Sequence, residues 1–196
     1  MKEDASPEPE KFIEIKKEVS VKIYHWKDLN KLEHELLRSA NSARSNALAR
    51  YSKFLVGAAV LWRNGLITSG CNMEGCAWEA LHAERAAIAS GVQRYGGNKI
   101  NAVAVVGAWD GDEFDFPPRL TRNDFEKAAS KVKFEDASVS CGYCLQDIVE
   151  LAYGDRDIPL LGLMKTGVIV KIKLGDILTA WFEPKSLGVD YSKNKK

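Results

Sequence analysis

Two short segments hold the residue types best suited to chemistry, His82-Ala83-Glu84 and Cys141-Gly142-Tyr143-Cys144. Together they offer one imidazole, two thiols and one carboxylate. A catalytic zinc takes three protein ligands of these kinds and keeps its fourth position for water, which it acidifies until hydroxide is available near neutral pH. A Cys-x-x-Cys at the start of a helix lets both sulfurs face one ion, and the positive end of the helix dipole favours thiolate over thiol. Ser140 stands where it could cap that helix. Glu84 lies two residues past His82, off the ligand direction, where a carboxylate could move a proton without occupying the metal. Taken singly, each piece has a plainer reading. Cys141 and Cys144 could be a redox pair or two small buried side chains, His82 a packed or surface histidine, and Glu84 a solvated helix residue.

The rest of the composition narrows the setting. The chain has 196 residues, 45% hydrophobic and 28% charged, with 28 basic against 27 acidic side chains and a net charge of +1. That balance suits one soluble domain and gives no whole-molecule field to gather nucleic acid or coat an anionic membrane. The longest uncharged apolar run, Phe54 to Trp62, is about half of the roughly 20 residues a membrane helix needs. Met1-Lys2-Glu3-Asp4 lacks the apolar stretch of a signal peptide. The expectation is a cytoplasmic protein whose partner is a small molecule, with no nucleic acid and no membrane. Four cysteines, the other two being Cys71 and Cys76, are too few to staple a scaffold of this size with disulfides. Cys71 and Cys76 read as small buried or half-buried side chains.

The elements that must position these residues follow from periodicity. Residues 1–20 carry Lys, Glu, Asp and Pro with little apolar surface, so the reading is a disordered extension. Leu29, Leu32, Leu36, Leu37, Ala40, Ala43, Ala47 and Leu48 recur at three- and four-residue steps and predict one helix from Trp26 to about Arg50. Phe54–Trp62 and Leu66–Ser69 flank Arg63-Asn64-Gly65, which predicts a hairpin closed by an Asn-Gly turn. Glu79–Val92 predicts a helix ending at Gly91, and Ala102–Val106 a buried strand. Residues 110–138 are polar and read as an insertion with one short helix. A helix from Gly142 to Tyr153, strands at Ile158–Met164 and Val168–Leu174, and a helix over Gly175–Trp181 complete the order. Helices falling between strands favour an α/β chain in which one mixed sheet, of about five strands, is covered on both faces. Residues 21–190 are then one domain carrying the 110–138 insertion, and 191–196 a basic tail.

The pattern His-x-Glu followed after a strand by Cys-x-x-Cys resembles the signature of zinc-dependent nucleobase deaminases. Tyr51-Ser52-Lys53-Phe54-x-Val56-Gly57-Ala58-Ala59, Gly70-Cys71-Asn72-Met73-Glu74, His82-Ala83-Glu84-Arg85-x-Ala87-Ile88 and Cys141-Gly142-x-Cys144-x-Gln146 are similar to successive motifs of the cytidine deaminase family. Leu174-Gly175-Asp176-Ile177-Leu178 and Phe182-Glu183-Pro184-Lys185-Ser186-Leu187-Gly188 resemble its closing segments. The likeness spans about residues 28–188 apart from the insertion. It implies a three-layer α/β/α deaminase fold, Zn²⁺ held by His82, Cys141 and Cys144, and Glu84 as the catalytic proton carrier. It also implies substrate-binding roles: Phe54 stacking on the base, Asn72 and Glu74 on the ribose hydroxyls, the Ala83 carbonyl and Cys141 amide at the exocyclic group. Phe182 would reach a neighbouring subunit's site in a homo-oligomer, a tetramer or alternatively a dimer. The implied activity is hydrolysis of cytidine and deoxycytidine to their uridines with release of ammonia, a step of pyrimidine salvage.

Departures surround the substrate positions. The usual Pro before the first zinc Cys is Ser140, the usual Arg after the second is Leu145, and the Asn expected after Asn-x-Glu is Gly75. The loop from Asn72 to His82 is about one residue shorter than in small family members. Arg85 matches a residue that offsets charge in three-Cys relatives, whereas one His and two thiolates already neutralise Zn²⁺. Alternatives stay open: deamination of a modified cytosine nucleoside, a nucleotide or RNA cytosine, or a non-catalytic zinc-stabilised binding protein. Lys53, Arg63, Arg119 and Arg122 are the cations available to phosphate, and they are scattered.

Overall fold

Nine uncharged residues, Phe54–Trp62, form strand β2 of the computed structural model, which describes residues 15–77, 79–112, 115–137 and 139–180. Successive side chains of a strand point to opposite faces. Ala58, Val60 and Trp62 therefore enter one hydrophobic cluster while Ala59 and Leu61 enter another. A strand with no polar face must be covered on both sides, and β2 is the interior strand on which the rest is assembled.

β2 pairs antiparallel with β3 (Ile67–Cys71) and with β6 (Ile100–Trp109). β6 pairs parallel with β7 (Pro159–Leu163), β7 antiparallel with β8 (Ile169–Lys173), and β8 antiparallel with β1 (Val21–Tyr24). The order across the sheet is β1-β8-β7-β6-β2-β3, and β4 (Met73–Glu74) and β5 (Ala80–Leu81) make a separate short ribbon. Helix α1 (Lys31–Arg44) buries Leu36, Leu37 and Ala40 against one face of the sheet. Helices α2 (Ala83–Tyr95) and α4 (Gly142–Leu151) cover the other face with Ala83, Ala87, Ile88, Leu145, Ile148 and Val149. Three α/β/α layers result, with six strands in the sheet where about five were expected. The added strand is β1.

Several boundaries move for identifiable reasons. A 3₁₀ turn, Trp26–Asp28, precedes α1, which starts at an Asn30/Glu33 capping box and stops at Arg44. Ser45 Oγ donates to the Ser42 carbonyl at the exit, so Ala47 and Leu48 lie beyond the helix and Leu48 bridges to Met73. The β2–β3 turn is a three-residue loop rather than an Asn-Gly pair: Gly65 N donates to the Trp62 carbonyl, and Gly65 alone has positive φ, at 82°. Gly91 is not a terminus. A Cβ there would stand 2.0 Å from Trp62 Cζ2, so this glycine lets α2 lie on the indole, and the cap is Gly96 at φ 72°.

Residues 110–138 hold helix α3 (Arg122–Ala129), which buries nothing, and a 3₁₀ turn at Phe134–Ala137. The segment is tied to the body near its middle. His25 Nε2 donates to the Leu120 carbonyl at 2.9 Å, Phe125 meets the His25 ring edge-on at 5.4 Å, and Arg122 makes a two-pronged bond to Asp28 at 2.7 and 2.8 Å. Its far end brings Val139 over Gly162 of β7, where a Cβ would come within 2.2 Å of Val139 Cγ1. The closing helix, α5, is only Leu174–Ile177. Lys17, in the segment read as disordered, donates to the Gly175 carbonyl and pairs with Asp176 at 3.5 Å.

Candidate metal centre and active-site cleft

The face of the sheet under α2 and α4 opens into a cleft of about 630 Å³. Its floor is set by register. Phe54, Val56, Val105, Gly107, Trp109, Gly162 and Val170 share that face, and the helix N-termini bring His82, Ala83, Glu84 and Cys141 to its edge. Gly107 is required for Phe54: a Cβ there would be 2.8 Å from Phe54 Cζ. The Phe54 ring meets Trp109 edge-on at 5.1 Å, the arrangement favoured by aromatic quadrupoles.

His82 is the N-cap of α2 and Cys141 the N-cap of α4, both with extended backbone and neither making a side-chain cap bond. Ser140 is therefore not the cap of α4; it lies one residue earlier and is buried. Placing both ligands at cap positions turns their donor atoms across the gap between the two helices. His82 Nδ1 lies 3.3 Å from Cys141 Sγ and 3.3 Å from Cys144 Sγ, and the three donor atoms all fall within 4.8 Å of one another. Tetrahedral zinc with Zn–S near 2.3 Å and Zn–N near 2.0–2.1 Å would set N···S at roughly 3.5 Å. The donor set fits. Burial pushes the Cys144 thiol well up, and the charges of Glu84 and Cys141 push it further. Its ionised form calls for a cation at this point, which is what three converging donors provide for.

Glu84, the second residue of α2, is 5% exposed and lines the same cleft. Asn72 and Glu74 reach it from the other wall, and both are partly committed. Asn72 Oδ1 accepts from Val56 N at 2.9 Å and Nδ2 donates to the Phe54 carbonyl at 2.9 Å, so this side chain extends the ladder along β2. Glu74 Oε2 accepts from Tyr51 N and Ser52 N at 2.7 and 3.1 Å. The Ser52 hydroxyl first, then the Tyr51 amide, hold its carboxyl below the usual carboxylate range. Ala83 is buried at the cleft edge. Phe182 lies outside the described residues.

Arg85 is engaged by α4: Nε donates to Asp147 Oδ2 at 2.7 Å and the guanidinium sits 4.3 Å over the Tyr143 ring. Cys71 is half-buried as expected, but Cys76 is exposed, because the β4–β5 loop projects from the sheet. None of Lys53, Arg63, Arg119 and Arg122 lines the cleft. Trp109, Asp112, Asp136 and Lys165 do, and reading the sequence singled out none of them. Trp109 had one signal, an aromatic residue at the end of an otherwise buried apolar strand. The others come together only through tertiary contact.

Comparison with known proteins agrees with this geometry. Residues 30–156 match the family model described as the cytidine and deoxycytidylate deaminase zinc-binding region. A cytidine deaminase of Sporosarcina psychrophila is 40% identical over 154 residues, 78% of this chain and 93% of its own. One from Halalkalibacterium halodurans is 28% identical over 153 residues, covering 78% and 95%. The solved cytidine deaminase of Burkholderia pseudomallei superposes with a TM-score of 0.53 at 28% identity, covering 76% of this chain and 98% of that one. With a zinc-binding region matched over most of its length and three donors converging where that region needs them, the chain belongs to the cytidine and deoxycytidylate deaminase family.

Proposed function

We propose that this protein is a zinc-dependent enzyme that deaminates cytidine and deoxycytidine to uridine and deoxyuridine with release of ammonia. One observation carries the reading: a buried carboxylate, Glu84, stands beside three metal donors in a cleft floored by an aromatic ring. A purely structural metal site has no use for that carboxylate.

Zinc held by His82, Cys141 and Cys144 supplies Lewis acidity that makes water a nucleophile near neutral pH. Glu84 would take up the proton that water loses and deliver it to N3 of the pyrimidine as C4 is attacked, then take the second proton from the new C4 hydroxyl and pass it to the departing amine, so that both water protons are accounted for. The Ala83 carbonyl accepts from the exocyclic amine, and the Cys141 amide donates to the oxygen that replaces it. Phe54, held at a fixed depth by Gly107 and Trp109, packs on the base and keeps water off the reacting carbon. The sugar lies toward Asn72 and Glu74, whose uncommitted donor and acceptor capacity faces the ribose hydroxyls.

Residues 21–190 form the deaminase unit in this reading, with 110–138 inserted. A homo-oligomer, tetramer or dimer, is supported by the apolar residues left exposed around the β4–β5 ribbon, namely Leu48, Tyr51, Met73 and Leu81. Deamination of free nucleosides suits pyrimidine salvage in the cytoplasm, and no helix among the described residues is long and apolar enough to cross a membrane. The test is uridine and ammonia release from cytidine and deoxycytidine by zinc-loaded protein. Turnover should vanish in Glu84→Ala with zinc retained. A folded, zinc-replete protein inert on both nucleosides would overturn the reading.

A further inference from the structure

Among the described residues lining the cleft, the carboxylates are Glu74, Glu84, Asp112 and Asp136, and the only lysine or arginine is Lys165. That lysine is already matched. Its Nζ lies 3.0 Å from Asp112 Oδ2, with the lysine side chain 71% exposed and the aspartate 25% exposed. Lys165 sits in the tight β7–β8 turn, closed by Gly167 N donating to the Met164 carbonyl at 2.9 Å. Gly167 packs on Leu120 and Pro118 of the insertion, which fixes where this turn stands. Asp112 lies three residues past the end of β6, with its own N–H donating to the Trp109 carbonyl at 3.1 Å. The ion pair thus joins the start of the insertion to the turn opposite.

We infer that the Asp112–Lys165 pair is a specificity device that restricts the cleft to uncharged nucleosides, by neutralising the one lysine or arginine among the described cleft residues that a 5′-phosphate could use. This rests on the reading of the cleft as a nucleoside site. A phosphate monoester carries about −1.5 to −2 charge at neutral pH and is recognised by unspent cations or converging N–H groups. Here Glu74 is held ionised by the Ser52 hydroxyl and the Tyr51 amide, and Asp136 presents a further carboxylate to the rim. Asp136 Oδ2 accepts from Lys133 N at 3.0 Å, and among the described residues no cation side chain pairs with it. The two helix N-termini that open on the cleft hold metal donors at their caps, so they do not offer a phosphate cradle either. Among the described residues lining the cleft, the side chains of fixed charge that a phosphate would meet are carboxylates, with the exception of Lys165. Asp112 takes that residue away.

Asp112→Asn keeps the size of the side chain and releases Lys165. The experiment compares kcat/KM for cytidine with that for cytidine 5′-monophosphate in the zinc-loaded parent, Asp112→Asn and Asp112→Asn/Lys165→Met. The parent is expected to favour the nucleoside strongly, by less as salt rises and screening shortens from about 10 Å at 0.1 M. Asp112→Asn should shift the ratio toward the monophosphate by about tenfold or more, and the double variant should cancel the gain. A parent that takes both substrates about equally, or a gain that survives loss of Lys165, would overturn the inference. Turnover of neither substrate would instead sink the proposed function. The same comparison is then read from dissociation constants of cytidine and its monophosphate, where equal binding by parent and Asp112→Asn would overturn the inference separately.

Discussion

Thr68 is the point at which the catalytic face can be loosened without touching the cleft. It is 3% exposed on β3; its Oγ1 accepts from Trp62 Nε1 at 2.8 Å and donates to the Ala87 carbonyl at 2.8 Å. One hydroxyl therefore joins β2, β3 and α2. Thr68→Val keeps the shape and removes both bonds. The Trp62 indole is fully buried, so its orphaned N–H costs about 1–3 kcal/mol. The Ala87 carbonyl has a helical partner as well, so losing its second bond costs about 0.5–1.5 kcal/mol. The sum is about 1.5–4.5 kcal/mol. Thr68→Ser retains the hydroxyl and loses only a buried methyl, about 1 kcal/mol. Urea unfolding at fixed excess zinc, followed by tryptophan fluorescence and far-UV circular dichroism, measures both, since metal binding to the folded state alone would otherwise move the midpoint. Thr68→Val should be clearly the weaker of the two. A Thr68→Val protein within about 0.5 kcal/mol of the parent, or a Thr68→Ser protein less stable than Thr68→Val, would refute the reasoning.

Further outcomes follow from other contacts. Gly107→Val places branched carbon against Phe54 and should raise KM for cytidine several-fold with zinc content unchanged, measured by steady-state kinetics and metal analysis. Arg85→Gln should retain about one zinc per chain and lose about 1 kcal/mol or less, because Arg85 serves the Asp147 and Tyr143 contacts between α2 and α4; loss of zinc in this variant would assign it to the metal. The Asp155 carboxyl is held low chiefly by its bond from Lys99 at 2.7 Å. A carboxylate with a depressed folded pKa stabilises above its unfolded value and loses that contribution as pH falls through the folded one. Acid unfolding of Asp155→Asn should therefore be less steep below about pH 4, and an unchanged acid limb would contradict this.

What could be read from the sequence depended on whether the signal was local. β2 matches its expected bounds residue for residue, since nothing but a doubly covered strand suits nine uncharged apolar residues. His82, Glu84, Cys141 and Cys144 were legible because zinc chemistry limits residue type and spacing, and both pairs sit within one helical turn of a helix start. β1 escaped because Val21-Lys22-Ile23-Tyr24 is four residues long and pairs only with β8, some 150 residues away. α1 was drawn too long because Ala47 and Leu48 keep the helical spacing while Ser45 and Asn46 carry the side chains that end a helix. Gly91 looked like a stop because sequence shows a glycine but not the Trp62 ring beneath it. The cleft rim was invisible for the same reason: Asp112 and Lys165 meet across 53 residues of sequence.

His82 and Cys141 are 59 residues apart, so an ion held between them closes a loop, and the 110–138 insertion lies wholly inside it. Loop-closure entropy grows only as the logarithm of length, about 0.6 kcal/mol for each doubling. Deleting the insertion would remove about half of that loop and alter the closure term by no more than this. In loop-closure entropy alone, the length of the insertion thus bears little on metal affinity. The same segment carries Asp112 and Asp136, two of the carboxylates at the cleft rim. The proposed specificity rim and the metal donors thus lie on separately adjustable parts, one inside the loop that the ion closes and the other pinned by three donor atoms.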